Sequence, residues 1–259
     1  LWPTDGVFPL APQLDSIGLL TRSADDAALI FAALESVDRP GTLSLKGLRL
    51  GRPQSYFFES LGPEVEVCTS NALAALEKAG VEVVPIEVPE AAERELYFPT
   101  CLPAELLASL GRDRFQAGRN LMDPVIAKRT ASALGMQADT FIRMERRRIE
   151  LCQIAAERMA SLDGWVSPTT ALVAPPIEQL EEPEISMKLA LSITQNTQPG
   201  NLFGQCGISI PIHHFGSQLP VGLQVMCAAG RDTHALSIAC AIEAHLGIPP
   251  RPDLTRFLS

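Results

Sequence analysis

Along Gly47–Pro53, Leu48 and Leu50 alternate with Arg49, and that period of two predicts a strand. Pro63 and Glu64 then open a helical pattern that runs to Ala79, with Gly80 placed as its stop. Val81–Val88 is apolar and β-branched, which predicts a second strand. Strand, helix and strand in direct succession predict a right-handed βαβ crossover with parallel strands. Further on, the apolar runs Gly207–Ile212 and Val221–Cys227 flank a polar turn at His213–Pro220. They predict two strands of a buried sheet. Gly222 and Gln224 interrupt the second of them, and a buried Gln must find hydrogen-bond partners. Gly204 and Gly207 stand where a preceding helix would have to approach the first of these strands closely. Trp165–Ser167 predicts a short strand ending at Pro168-Thr169.

Residues 1–20 are irregular, with prolines at 3, 9 and 12 and turn signals at Asp5-Gly6 and Asp15-Ser16. Ser23 opens a helix: Asp26 follows three residues later, and Ala27, Ile30, Phe31 and Leu34 form its apolar face. Between 91 and 161 the pattern predicts helices at about 91–110, 120–134 and 138–161. Phe141, Met144, Ile149, Cys152 and Met159 line the last, which Asp163-Gly164 breaks. Shorter helices are expected at 186–193 and 198–205. Asp232 is placed as the cap of a final helix, Thr233–Leu246, stopped by Gly247 and Pro249-Pro250. Strands interleaved with helices make the fold class α/β.

Bulk properties narrow the function. The chain has 259 residues, 46% hydrophobic and 20% charged, and a net charge of −9. An acidic balance argues against nucleic acid as the main partner, because phosphate binding needs a basic face. Arg143–Arg148 is the local exception and reads as the solvated face of a helix. Six cysteines, at 68, 101, 152, 206, 227 and 240, include no CxxC pair and no zinc-like spacing. Free thiols in apolar patterns point to a reducing compartment, the cytoplasm. No apolar run reaches the roughly 18 residues of a membrane span, so no membrane partner is expected.

No catalytic set is legible from residue types alone. GxSxG, GxGxxG and GxxxxGK[ST] are absent. His213-His214 reads as part of a polar turn, and His234 and His245 as surface or packing residues of the last helix; no metal or other cofactor is expected. Glu178, Glu181, Glu182 and Glu184 read as a solvated loop. Ser167, Ser209 and Ser217 lie at strand ends or turns, yet a serine needs a base to become a nucleophile, and the sequence places no His or Lys beside them.

Four segments nevertheless resemble one family in its own order. PLAPQLDSIGLLTRSADDAALIFAAL (9–34), with Leu14-Asp15, Gly18, Arg22-Ser23 and Asp26, is similar to the stretch after the nucleophile region of the amidase signature family. Asp163 with Ser167-Pro168-Thr169, then NTQPGNLFGQCGISIP (196–211) and LPVGLQVM (219–226), resemble its later strands and closing core. The resemblance covers nearly all of 1–247. It implies a mixed central β-sheet flanked by helices. It also implies that residues 1–259 are the C-terminal portion of a single amidase domain, with a helical substrate-pocket region at about 91–161.

The family cleaves amides with a serine nucleophile, a second serine bound through a cis peptide, and a lysine as ultimate base. Those groups precede the position matching Leu1, so the resemblance transfers no catalytic residue, and the chain alone is expected to be inactive. Either it is a portion of a longer enzyme or a remnant without activity; the abrupt start favours the portion. Lys128-Arg129 matches the place where the A subunits of glutamine-using amidotransferases hold an arginine for a substrate carboxylate, which nominates Arg129 as substrate-binding. The alternative for Arg129 is an ordinary solvated charge. Asn201 matches another family position and is nominated beside it, with a structural role as its alternative. Those amidotransferases carry an acidic residue where this chain has Thr194, three before Thr197. A substrate ammonium left unpaired there is costly, so an amidase acting on a small-molecule amide is preferred to a component of an amidotransferase. A non-catalytic α/β scaffold or binding protein is the third reading. A homodimer is one expectation for the oligomeric state.

Overall fold

The computed structural model describes residues 2–250; Leu1 and residues 251–259 lie outside it. Its elements in chain order are α1 (Ala24–Glu35), β1 (Arg49–Pro53), α2 (Pro63–Lys78), β2 (Glu82–Ile86), α3 (Arg94–Leu110), α4 (Arg112–Gly118) and α5 (Pro124–Ala131). Then come α6 (Ala138–Met159), β3 (Gly164–Pro168), α7 (Pro183–Ile193), α8 (Gln198–Leu202), β4 (Cys206–Pro211), β5 (Gly222–Cys227) and α9 (Asp232–Leu246).

The strands form one sheet in the order β2-β1-β3-β5-β4. β1 runs parallel to β2 and β3, whereas β5 runs antiparallel to β3 and β4, so the sheet is mixed. The crossover from β1 through α2 to β2 is the unit expected from the hydrophobic pattern. Its helix ends as Gly80 requires: with φ at +95°, Gly80 donates to the Glu77 carbonyl and Val81 to the Leu76 carbonyl. That closure needs a left-handed residue, which glycine supplies without a Cβ penalty.

Alternation along the strands separates two cores. Val166, Leu223 and Val225 face α1, α2 and α9, with Phe31, Leu76 and Ile238 among the buried partners. Trp165 and Met226 face the other way, against Tyr97 and Phe98 of α3, Leu151 of α6 and Leu202 of α8. Ser23 caps α1 as expected, its hydroxyl accepting the Asp26 amide at 3.0 Å.

Several elements depart from expectation. The stretch 91–110 begins as a 3₁₀ turn, Pro89–Glu93, before α3. The stretch 120–134 is broken into α5 flanked by 3₁₀ turns, because the Asp123 carboxylate caps a fresh start, accepting from Val125 and Ile126 at 2.9 and 3.1 Å. The helix expected over 198–205 stops at Leu202, ahead of Gly204 with φ at +63°. Asp232 sits in the first turn of α9, and Arg231 occupies the cap position without a side-chain bond. Arg147 is more than a solvated charge: it chelates Glu93 at 2.7 and 2.9 Å and tethers α6 to the Pro89–Glu93 turn. On the same helix Arg158 holds Glu90 at 2.7 and 3.0 Å, and these bonds lower the Glu90 carboxyl.

The largest correction concerns β4. A buried strand was expected, but β4 is the sheet edge, and Gly207 and Ser209 are exposed while Ile210 is buried. Among the described residues its outer flank has no strand partner. Gly207 also has a different neighbour from the one expected. The Met226 thioether of β5 lies between Gly207 and Gly200 of α8, where a Cβ on either glycine would overlap it.

Candidate functional site

A cleft of about 720 Å³ opens along the exposed flank of β4. One wall is the 16–24 segment with Ala27 and Phe31 of α1; the other is Thr197, Gly200 and Asn201 at α8. Asp232 and Ala235 of α9 close one end, and Gly207–Pro211 form the floor. The lining mixes backbone, hydroxyl and aliphatic groups. Its volume lies within the range of small-molecule sites.

A buried polar hub fixes the floor and the α8 wall relative to each other. The Gln224 amide donates to Ser167 Oγ at 2.9 Å and to the Asn196 carbonyl at 2.8 Å. The Asn196 amide donates to the carbonyls of Phe57 and Pro168 at 2.9 and 2.8 Å. The buried Gln that interrupts the β5 pattern thus finds its partners. Through Asn196 it ties the end of β3 to the turn that launches α8, and so places Asn201. Arg94 holds α8 from behind: this residue, 5% exposed, donates from Nη1 to Gln198 Oε1 at 2.8 Å. Above the hub, Thr169 and Ser209 share a hydroxyl contact of 2.6 Å beside Gly222, where any Cβ would collide with them.

The α1 wall is held by a carboxylate. Glu243 of α9, 6% exposed, accepts the Ala24 amide at 2.8 Å and so caps α1 from a distant part of the chain. Burial raises the pKa of this carboxyl, the Ala24 amide lowers it, and the like charge of Asp26 raises it, with a net upward shift. A carboxyl raised in the folded state contributes stability fully at pH below its unfolded value. That contribution is lost as pH climbs through the folded value. We therefore expect Glu243→Gln, which keeps an acceptor but cannot ionise, to compare more favourably with the parent as pH rises above about 4.3. Urea unfolding of both proteins at a series of pH values measures this; parallel pH profiles would rule it out.

The nominated residues separate. Asn201 is exposed on α8 and lines the cleft. Arg129 stands half-buried on α5, which packs on α3, and takes no part in the cleft lining. Thr194 turns its hydroxyl back to the Ala190 carbonyl at 2.8 Å. Ser167 donates to the Pro168 carbonyl at 3.3 Å and accepts from Gln224. Ser217 donates to Glu64 at 2.9 Å and accepts the Leu219 amide. Among the described residues, no His or Lys nitrogen bonds to Ser167, Ser209 or Ser217.

His214 Nε2 contacts the Leu246 carbonyl at 3.0 Å, tying the His213–Phe215 turn to α9. Burial and the neighbouring His214 lower His213. His234 Nε2 lies 3.6 Å from Asp163, and burial lowers it. Glu178, Glu181 and Glu182 are exposed, and the Glu184 side chain lies outside the described set. Among the described residues, no group of three or more His, Cys, Asp or Glu is placed to hold a metal ion, and no helix is long and apolar enough to cross a membrane. Asn196, Arg94 and Glu243 were not singled out from sequence. Asn196 opens the segment 196–211 that carries the family resemblance and lies in the polar run Thr194–Gln198, whereas no motif marks Arg94 or Glu243.

A mixed sheet layered between helices, with a cleft along the edge strand β4, defines the fold class of this protein. A family model described as "Amidase" matches residues 1–236, and the chain belongs to that family. It is 29% identical over 252 residues to the 2-amino-5-chloromuconic acid deaminase of Comamonas testosteroni, spanning 95% of this chain and 54% of that protein. It is 28% identical over 261 residues to an indoleacetamide hydrolase of Allorhizobium ampelinum, spanning 93% of this chain and 56% of that one. The chain thus spans about half the length of these curated relatives. The solved A subunit of the Thermotoga maritima glutamyl-tRNA(Gln) amidotransferase superposes with a TM-score of 0.72 at 23% identity, over 93% of this chain and 55% of that one. The fold is that of the amidase signature proteins.

Proposed function

We propose that these residues form the backing and one wall of the substrate cleft of an amide hydrolase, which converts R–CO–NH2 and water to a carboxylic acid and ammonia. The observation that carries the reading is the family match over residues 1–236. Further support comes from the cleft, which opens along β4, an edge strand among the described residues. In this reading the reactive hydroxyl and its proton acceptor belong to polypeptide outside residues 1–259. Among the described residues, the hydroxyls of Ser167, Ser209 and Ser217 are engaged with backbone, amide, hydroxyl or carboxylate partners, and none of these is a His or Lys nitrogen that could activate them. Asn201 contributes a polar contact to the bound amide from the α8 wall. Arg129 lies outside the cleft lining, and its proposed role is to meet a carboxylate on an extended substrate that reaches the helical layer at 91–161.

The net charge of −9 fits a small-molecule partner better than nucleic acid, and the six free thiols favour a cytoplasmic setting. A component of an amidotransferase is the second reading, supported by the shared fold; the neutral Thr194 disfavours it. A non-catalytic scaffold is the third.

Ammonia release from acetamide and benzamide tests the proposal. Residues 1–259 alone are expected to give none above buffer, and the longer product of the same reading frame to give turnover. Turnover by the 259-residue chain that disappears in Ser209→Ala would overturn the division of labour. Activity of the longer product that requires ATP and added partner subunits would favour the amidotransferase. Inertness of the longer product under both conditions would favour the scaffold.

A further inference from the structure

Cys206 and Cys227 face each other on the last rung of the β4–β5 ladder. The Ile212 amide donates to the Val221 carbonyl at 2.8 Å, and Ile212 and Val221 continue the same register. Hydrogen-bonded rungs alternate with open ones, so counting back from Ile212 by twos makes Cys206–Cys227 a bonded rung too. Directly opposed residues point to the same face of a sheet. Their Cα atoms are about 5.5 Å apart in a bonded rung, inside the range a disulfide spans.

Both thiols are free. Cys206 Sγ donates to the Ala228 carbonyl at 3.3 Å, and Cys227 Sγ to the Asp163 carbonyl at 3.4 Å. Cys206 is half-buried and lines the cleft, whereas Cys227 is fully buried behind it. An accessible thiol beside a buried one is the arrangement of an attacking and a resolving cysteine.

We propose that Cys206 and Cys227 are a redox-modifiable pair, which a small-molecule disulfide such as glutathione disulfide converts into an intrachain cystine at the cleft floor. Cys206 loses its proton to solvent, and its thiolate attacks one sulfur of the small disulfide. The S–S bond breaks and one glutathione leaves as thiolate. Cys227, deprotonated in turn, attacks Cys206 Sγ of the mixed disulfide and releases the second glutathione. Two protein thiols are oxidised, one small disulfide is reduced to two thiols, and the protons balance.

Two physical features set the behaviour of this pair. On a bonded rung opposed Cβ atoms lie at the wide end of the range, about 5.5 Å apart, against about 3.8 Å in a relaxed cystine. Closure must draw the strand ends together, which is easiest at a terminal rung that leads into the turn at 228–231. A bond under such strain is readily reduced. Burial pushes the Cys206 thiol up to about 11, and burial together with Cys206 pushes Cys227 up to about 12. Oxidation is therefore slow at neutral pH and quickens by about tenfold per pH unit below those values, as the thiolate fraction grows.

Tryptic digestion reads the outcome directly. Leu189–Arg231 contains no internal Lys or Arg and carries only these two cysteines. The folded chain is incubated with glutathione disulfide at a series of mildly alkaline pH values, then alkylated in denaturant and digested. The peptide is expected to become lighter by two hydrogens and to lose both alkyl labels, and dithiothreitol should restore it. In Cys227→Ser a glutathione adduct should persist on Cys206; in Cys206→Ser, Cys227 should stay alkylatable. Circular dichroism confirms that each variant is folded, and the unsubstituted chain is informative without them. Retention of both labels while Cys152 acquires glutathione would overturn the proposal. So would a stable adduct on Cys206 of the unsubstituted chain without ring closure.

Discussion

Trp165→Ala is expected to destabilise the folded chain by about 3–5 kcal/mol, the usual range for emptying a buried aromatic site. Trp165 is fully buried at the centre of the core under α3, α6 and α8. Its ring centroid lies 6.0 Å from both Phe57 and Phe203, the latter edge to face. Truncation removes these aromatic contacts and leaves a cavity that the strand backbone beneath cannot fill. A single domain holds only about 5–15 kcal/mol in reserve, so the variant should unfold at far lower urea. Trp165→Phe separates packing from polarity. Among the described residues the indole Nε1 is buried without a partner, and removing an orphan donor returns about 1–3 kcal/mol of desolvation cost. Phe should therefore be much milder than Ala. Equilibrium urea unfolding followed by circular dichroism ranks the three proteins. Equal midpoints for Trp and Ala would refute this account of the core.

Gln224→Glu is the second substitution with a large expected effect, about 3 kcal/mol or more at neutral pH, because it buries a charge without a partner. The change is nearly isosteric, so packing is preserved. Gln224 Nε2 donates to Ser167 Oγ and to the Asn196 carbonyl. A carboxylate presents an oxygen to both, and the carbonyl has no proton to offer. Protonation supplies one donor again, so stability should recover partly as pH falls through the raised value of the new carboxyl. Gln224→Leu loses the two bonds without adding a charge and should cost about 1–3 kcal/mol. If Glu and Leu prove equally destabilising and insensitive to pH, the hub does not operate as described. Because Asn196 leads into α8, the Glu variant should also alter the cleft wall at Asn201. Amide exchange across Thr197–Leu202 would register that shift independently of global unfolding.

Much of the architecture follows from short-range pattern. The period of two around Leu48 and Leu50, the helix from Pro63 and the glycine at 80 suffice for β1, α2 and β2, because propensity and the helix stop agree there and β1 and α2 bury their apolar positions, even though β2 is a half-exposed edge. Ser23 and Asp26 likewise place α1 correctly. Helix interruptions between 91 and 135 were less legible. A capping aspartate at 123 and a run of 3₁₀ turns compete with a continuous apolar stripe, and only packing against α3 decides between them. The candidate site was legible in part. Asn201 carried a family resemblance and does line the cleft. Arg129 carried one too, yet stands on a different layer.

The sequence by itself determined the α/β class, the β1–α2–β2 unit, the pairing of the last two strands and the family, since each is written in periodicity or in contiguous motifs. Tertiary structure alone decided that β4 is an edge, that Met226 wedges between two glycines, that Glu243 caps a helix 219 residues away, and that Gln224, Ser167 and Asn196 meet. The physical reason is range. Local patterns record which way a side chain must face, but a buried polar group is satisfied by whichever partner the folded chain delivers.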